Sequence, residues 1–186
     1  MNNNEKVNDI DVHNYLIDPS GKDWAQLLSD WSAQLPPVLT VWLVNRFGDV
    51  CAIYDVCAIY EDGSVHMLDV GTGVVARVAD SREHFCSEID RGNNANNWLM
   101  IPLVDRCVTE GLKLDDSQCY GYKVPPVLGG EYDVRNFVPT DLSVHYSLLA
   151  DIHRQIRDLP DGTKVRIVTD RETNPPRATL ISDEPS

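Results

Sequence analysis

The sequence predicts an α+β domain in which a mainly antiparallel sheet packs against several helices. Stretches with apolar residues at every second position, a pattern typical of half-buried strands, recur between residues 38 and 79. Apolar residues three and four apart, which is helical spacing, recur over 81–110 and 140–156. Short glycine-rich turns separate the predicted strands, and such turns connect antiparallel neighbours.

The 186 residues suit a single domain. Both ends are polar and lack periodicity, which is typical of segments that bury little surface. We therefore predict a flexible N-terminal segment over 1–18, a single α+β domain over 19–168 and a flexible C-terminal tail over 169–186.

The first predicted helix covers about 22–34, with Ser20 or Asp23 as its cap and the pair Pro36-Pro37 after its end. A strand follows and leads into a turn at 45–48.

The hexapeptide DVCAIY at 49–54 is repeated at 55–60. An insertion of six residues keeps every side chain on its own face of a strand but lengthens that strand by roughly 20 Å. We expect a protruding strand, or a bulge near Asp55.

A hairpin turn at 61–63 precedes two strands, 64–70 and 73–79, which complete a meander. Ser81 is predicted to cap a helix, and a second helix is predicted over about 96–110. Pro102 must lie in the first turn of that second helix or kink it.

The segment 120–156 has the clearest local pattern: a strand, a turn rich in proline and glycine, a short strand at 131–137 and a helix capped by Thr140. The apolar side of this helix is predicted to be buried, and its other side is predicted to be exposed, with Ser143, Ser147, Asp151, Arg154 and Asp158. A last strand is predicted at 163–168.

The formal net charge is −13, of which −8 belongs to residues 19–168. Such a surface repels phosphate, so nucleic acid and anionic membranes are unfavourable partners, and a basic protein is a favourable one. Simple solubility remains an alternative explanation of the charge. No apolar run approaches a membrane span and no signal-peptide core is visible, which favours a cytoplasmic protein.

No cluster of residues predicts catalysis, a cofactor or a metal. Gly71-Thr72-Gly73 lacks the remaining residues of a phosphate loop and predicts a hairpin turn. The acidic pairs Glu61-Asp62 and Asp115-Asp116 fall at turns, where aspartate is common. The odd number of cysteines without a CxxC pair predicts mostly buried free thiols, at Cys51, Cys57, Cys86, Cys107 and Cys119.

Histidines give no better metal site. His145 and His153 are eight residues apart on one predicted helix, whereas zinc-binding pairs on a helix sit three or four apart. His66 lies in a strand, where a structural hydrogen bond is the favoured role, and His13 and His84 have no partner at a suitable spacing.

Two stretches resemble a known group: RFGDV with EDGSVHMLDVGTG, and YGYKVPPVLGGEYDVRNFVPTDLSVHYSLLADIHRQI. They are similar to a family of bacterial domains that includes type VI secretion immunity proteins, near the SUKH (SMI/KNR-like) superfamily. The resemblance covers roughly residues 22–158. The family includes the immunity partner of a secreted DNase, to which these stretches are similar. The doubled DVCAIY departs from the family pattern.

The resemblance implies an α+β protein that binds and neutralises a secreted toxin, in a relationship like that of toxin and antitoxin, without catalysis or cofactors. A small-molecule or regulatory binding domain on the same scaffold is the alternative, and a hydrolase without recognisable motifs is a third hypothesis. The sequence leaves open which residues bind the partner and whether the protein forms homo-oligomers.

Overall fold

The computed structural model describes residues 11–53, 63–160 and 162–182. A five-stranded antiparallel sheet, two separate two-stranded hairpins and five helices make up this part of the chain. The predicted α+β class, with a mainly antiparallel sheet against several helices, is confirmed.

The main sheet is a meander in which each strand pairs with the next along the chain, in the order β1-β2-β3-β4-β5. The predicted turn at 45–48 joins the second and third strands, and Gly48 adopts the left-handed φ of 81° that this turn requires. The five strands are β1 (Leu16–Ile17), β2 (Thr40–Asn45), β3 (Val50–Ile53), β4 (Val65–Asp69) and β5 (Val74–Ala79).

The first three helices are short and lie before or beside this sheet. They are α1 (Trp24–Leu27), α2 (Arg82–Glu88) and α3 (Asn94–Trp98). The predicted helix at 22–34 is shorter than expected, because a 3₁₀ turn at Ser29–Trp31 follows α1. Of its two candidate caps, Asp23 accepts a hydrogen bond from the Gln26 amide, and Ser81 caps α2 as predicted.

One helix was predicted over 96–110, and this prediction is wrong. The chain forms α3 and then α4 (Ile101–Thr109), separated at Met100, whose φ of 53° is left-handed and interrupts the helix. Pro102 lies in the first turn of α4, where its missing N–H leaves no helical bond unmade.

The first of the two separate hairpins pairs β6 (Gln118–Tyr122) with β7 (Phe137–Asp141). The short strand predicted at 131–137 is wrong, because a 3₁₀ turn occupies Val134–Asn136 and the strand begins only at Phe137. Thr140 does not cap the next helix, because its hydroxyl donates to the carbonyl of Val138.

Helix α5 (Leu142–Ile156) lies against the main sheet and forms the centre of the largest apolar core. Tyr146 is fully buried, and its hydroxyl donates to the carbonyl of Gly48 at 2.9 Å. The indole N–H of Trp31 donates to the carbonyl of Tyr146 at 3.1 Å. These two bonds join α5 to the sheet and to the segment after α1.

The chain ends were predicted to be flexible, and the structure corrects this for the residues it describes. Residues 165–182 form the other separate hairpin, in which β8 (Val165–Asp170) pairs with β9 (Arg177–Ser182). At the other end β1 pairs with β2, and Ile17 is buried. Segments this short show too little periodicity for recognition, and tertiary contacts hold them in place.

Side chains of α5 bind the backbone of β9 as a neighbouring strand would. Asp151 accepts from the amide of Ala178 and from the guanidinium of Arg177, at 2.9 and 2.6 Å. Gln155 accepts from the amide of Leu180 and donates to the carbonyl of Ala178. Ser147 and Asp151, predicted to be exposed, are therefore buried beneath this hairpin.

The repeated hexapeptide is only partly visible. Val50–Ile53 of the first copy form β3, which pairs on both sides. The rest of the repeat at 54–60, including the predicted bulge near Asp55, lies outside the described residues, as do Glu61 and Asp62 of the predicted hairpin turn.

The hairpin contact makes a prediction for stability. Replacing Asp151 with alanine leaves the buried amide of Ala178 without its acceptor and removes one of the two carboxylates that bind the Arg177 guanidinium, the other being Asp30. We therefore expect the free energy of unfolding to fall by about 2 kcal/mol. Urea unfolding measures this change. Asp158→Ala, at an exposed position just beyond the same helix, should change stability by less than about 0.5 kcal/mol. Equal effects of the two substitutions would contradict the proposed role of Asp151.

Candidate functional site

The two stretches that carry the family resemblance meet where the turn between β4 and β5 packs against β6 and α5. A side chain at Gly71 would lie 3.1 Å from the hydroxyl of Tyr122 and 3.2 Å from that of Tyr132. A side chain at Gly73 would lie 2.8 Å from Nδ1 of His153. The turn is tightly packed, so the prediction of a hairpin turn at Gly71-Thr72-Gly73 is confirmed.

Asp49 lies in the protein interior beside this turn and is its most unusual ionisable group. Its carboxylate accepts hydrogen bonds from Nδ2 of Asn45 at 2.8 Å and from the amide of Val70 at 3.0 Å. Burial, and then the charge of Asp69, raise the pKa of Asp49 to about 7, and the two hydrogen bonds oppose that shift.

A carboxyl group with a raised pKa is a candidate for acid–base catalysis. Asp49, however, is only 4% exposed, and Asn45 and Val70 each occupy one of its oxygens. A substrate would have to displace the turn to reach it. The arrangement therefore fits a structural link between the β2–β3 turn and the β4–β5 turn.

The histidines of α5 have structural positions as well. His153 forms a 2.9 Å hydrogen bond with the carbonyl of Val70. His145 packs between Gly48 and Gly121, and burial lowers its pKa to about 4. His66 lies in a strand, β4, as predicted. Its ring forms a 3.0 Å hydrogen bond with the hydroxyl of Ser64, so the predicted structural hydrogen bond is confirmed.

The described part of the chain contains no group of three His, Cys, Asp or Glu side chains placed to hold a metal ion. The cysteines within it are all free. Cys51, Cys107 and Cys119 are buried, and burial raises the pKa of Cys51 to about 12 and that of Cys107 to about 11. Cys86 is exposed. The described thiols are therefore mostly buried, as predicted, and Cys57 lies outside the described residues.

A cavity of about 270 Å³ lies between the β6–β7 hairpin, α5 and the β8–β9 hairpin. Its walls are mainly apolar and include Val138, Leu148 and Ile167, with His145 as the buried polar side chain. A cavity of this kind can hold a small apolar molecule.

An acidic groove of about 420 Å³ lies at the start of α5. Asp23 and Asp141, which are 118 positions apart in sequence, line it together with one basic side chain, Lys22. Gln118 links the groove to the neighbouring loop, because it donates to Asp141 and accepts from the amide of Asp115. Asp115 and Asp116 on that loop are exposed. Sequence reasoning missed this groove, since only folding brings its acidic residues together.

Residues 79–153 match a family model described as T6SS immunity protein Tdi1, C-terminal. The predicted resemblance to type VI secretion immunity proteins is thereby confirmed for this span. No match to a curated protein is found. Within the ranges the structure describes, no helix has the length and apolar character needed to cross a membrane.

The matched span runs from the end of β5 into the last turn of α5. It contains α2, α3, α4, the β6–β7 hairpin and nearly all of α5, and it ends before the β8–β9 hairpin. The stretch with RFGDV and DGSVHMLDVGTG precedes the matched span. Within it, Asp49 accepts a hydrogen bond from Val70, and Gly71 packs against residues of the matched span.

The burial of His145 predicts a pH dependence. Above about pH 6.5 its ring is neutral in the folded and unfolded states alike. As the pH falls towards 4, the unfolded chain binds a proton that the buried ring does not, so stability falls by about 3 kcal/mol. Asp49 acts in the opposite sense: its raised pKa lowers stability as the pH rises from about 4 to about 7.

His145→Leu removes the contribution of His145 between pH 4 and 6.5 and leaves those of Asp49 and of His153, whose pKa is also lowered by burial. The free energy of unfolding should therefore gain less, or lose more, with rising pH than in the parent protein. Urea unfolding at half-unit pH steps measures both slopes. His13→Leu, at an exposed position, should leave the parent profile unchanged. Parallel profiles for His145→Leu and the parent protein would show that His145 is not buried as described.

Proposed function

We propose that this protein is a cytoplasmic immunity protein that binds and neutralises a cognate toxin secreted by a type VI system, without catalysis of its own. The match of residues 79–153 to the Tdi1 C-terminal family model is the observation that carries the proposal. The buried ionisable groups at the junction of the two stretches support it, because their bonds are structural.

The toxin partner is proposed to be basic and to act as a nuclease. A nuclease must bind phosphate, and an acidic inhibitor can occupy such a basic cleft. The net charge of −13 and the acidic groove of Asp23 and Asp141, with Asp115 and Asp116 beside it, provide that complementarity. The same charge makes nucleic acid and anionic membranes unfavourable ligands.

The cavity beside His145 favours a second function, the binding of a small apolar molecule. A thermal-shift screen of metabolites tests it. A compound that raises the Tm of the parent and not that of a variant with a filled cavity, such as Val138→Trp, would support this alternative.

The main proposal is tested by asking whether a neighbouring gene encodes a secreted effector, and by purifying a catalytically inactive form of that effector. We expect the purified full chain to form a stable complex with it, and co-expression to protect cells from the active effector. Absence of both binding and protection would refute the immunity function. Nuclease assays with the effector, in the presence and absence of this protein, identify the activity that is inhibited.

Charge complementarity makes a separate prediction. The double substitution Asp115→Lys and Asp116→Lys should slow association with the effector about tenfold at low salt, because long-range attraction speeds the encounter of opposite charges. Stopped-flow or surface-based kinetics at several salt concentrations measure the rate. The control Asp90→Lys with Asp158→Lys makes the same change in net charge at exposed positions elsewhere. Equal slowing by both pairs would show that net charge, and not this loop, attracts the partner.

A further inference from the structure

The outer edge of β8 has no partner strand among the residues that the structure describes. Strand β9 directs the amides of Ala178 and Leu180 towards α5, where Asp151 and Gln155 accept them. In an antiparallel pair, residues directly opposite one another point their backbone groups the same way, either into the pair or out of it. Ile167 lies opposite Leu180, and Thr169 lies opposite Ala178. Their backbone N–H and C=O groups therefore point away from β9.

An apolar groove of about 740 Å³ runs beside this edge. One wall comes from β8 and the residues before it, including Val165 and Ile167. The other comes from the proline-rich turn, where Val124, Val127 and Leu128 line it, and no residue of β9 takes part. The groove therefore lies on the side of β8 that is away from its partner strand. Val124 is 45% exposed and lines this groove.

The charge here differs from that of the whole molecule. Residues 162–182 contain four basic and two acidic side chains in a protein whose net charge is −13. Lys164 and Arg166 are exposed, and neither forms an ion pair with any residue that the structure describes. They are available for a carboxylate of a partner.

We propose that an extended segment of the toxin adds to β8 as a third strand and places its apolar side chains in the groove. This inference rests on the proposed immunity function and names the surface used. Three features specify the occupant. The backbone groups of Ile167 and Thr169, which have no partner in the described ranges, select another extended backbone, and the groove selects apolar residues at alternate positions. Lys164 and Arg166 select a carboxylate near one end.

The hairpin also has the right position for selectivity. It follows residue 153, where the match to the immunity family model ends, and it covers α5. A strand added here would bury aliphatic side chains from both sides of the groove, while the matched part of the fold stays unchanged. Strand addition gives affinity through the backbone and selectivity through the side chains that fill the groove.

Val124→Asp and Val38→Asp form a matched pair of variants for the test. Both replace a valine that is about half exposed, and only Val124 lines the groove. Both should keep the Tm of the parent protein. With the inactive effector as the probe, we expect Val124→Asp to raise the Kd at least tenfold and Val38→Asp to change it less than threefold.

Hydrogen exchange of the full chain, alone and in the complex, provides the second measurement. We expect the amides of Ile167 and Thr169 to exchange much more slowly in the complex, because they become bonded to the added strand. If the complex forms but these amides are unprotected and the two variants bind equally, the strand-addition proposal is wrong and the immunity function stands. If the parent protein does not bind the effector, both proposals fail. If Val124→Asp converts a dimeric parent into a monomer, a second copy occupies the groove and the proposal is wrong.

Discussion

The burial of α5 on both of its faces is the constraint on which the rest of the structure depends. One face contacts the main sheet, where Tyr146 bonds to Gly48 and His153 bonds to Val70. The opposite face would place Asp151 and Ser147 in solvent, and the β8–β9 hairpin covers them instead. Because a buried carboxylate needs hydrogen-bonded partners, Arg177 and the amide of Ala178 fix the position of the hairpin.

The glycines of the β4–β5 turn have a related role. Gly71 and Gly73 allow the turn to approach two tyrosines and a histidine more closely than any other residue could. Asp49 holds the turn in place by accepting a hydrogen bond from the amide of Val70. The stretches that resemble the immunity family thus form the interior framework of the fold. They also reach the surface, because Val124, Val127 and Leu128 line the groove beside β8. The residues that identify the family and those proposed to contact a partner therefore overlap in part.

The molecule has two candidate partner surfaces, one acidic and one apolar. The acidic groove near Asp23 and Asp141 suits long-range attraction of a basic protein, which affects the rate of encounter. The groove beside β8 is apolar and has an open backbone edge, so it suits short-range contacts that set affinity and selectivity. Each joins parts of the chain that are distant in sequence, so neither surface follows from a local pattern.

The sequence by itself determined the α+β class, the meander, the cap at Ser81 and the apolar stripe of α5, because each follows from local periodicity or from the chemistry of one turn. It also carried enough of the family pattern for the immunity resemblance. Only the tertiary structure decided the fate of the C-terminal segment. RATLIS is too short and polar to predict a strand, yet it becomes β9 because Asp151 and Gln155 supply the backbone partners that it lacks locally. The break at Met100 and the acidic groove likewise depend on contacts between residues distant in sequence, which local patterns do not contain.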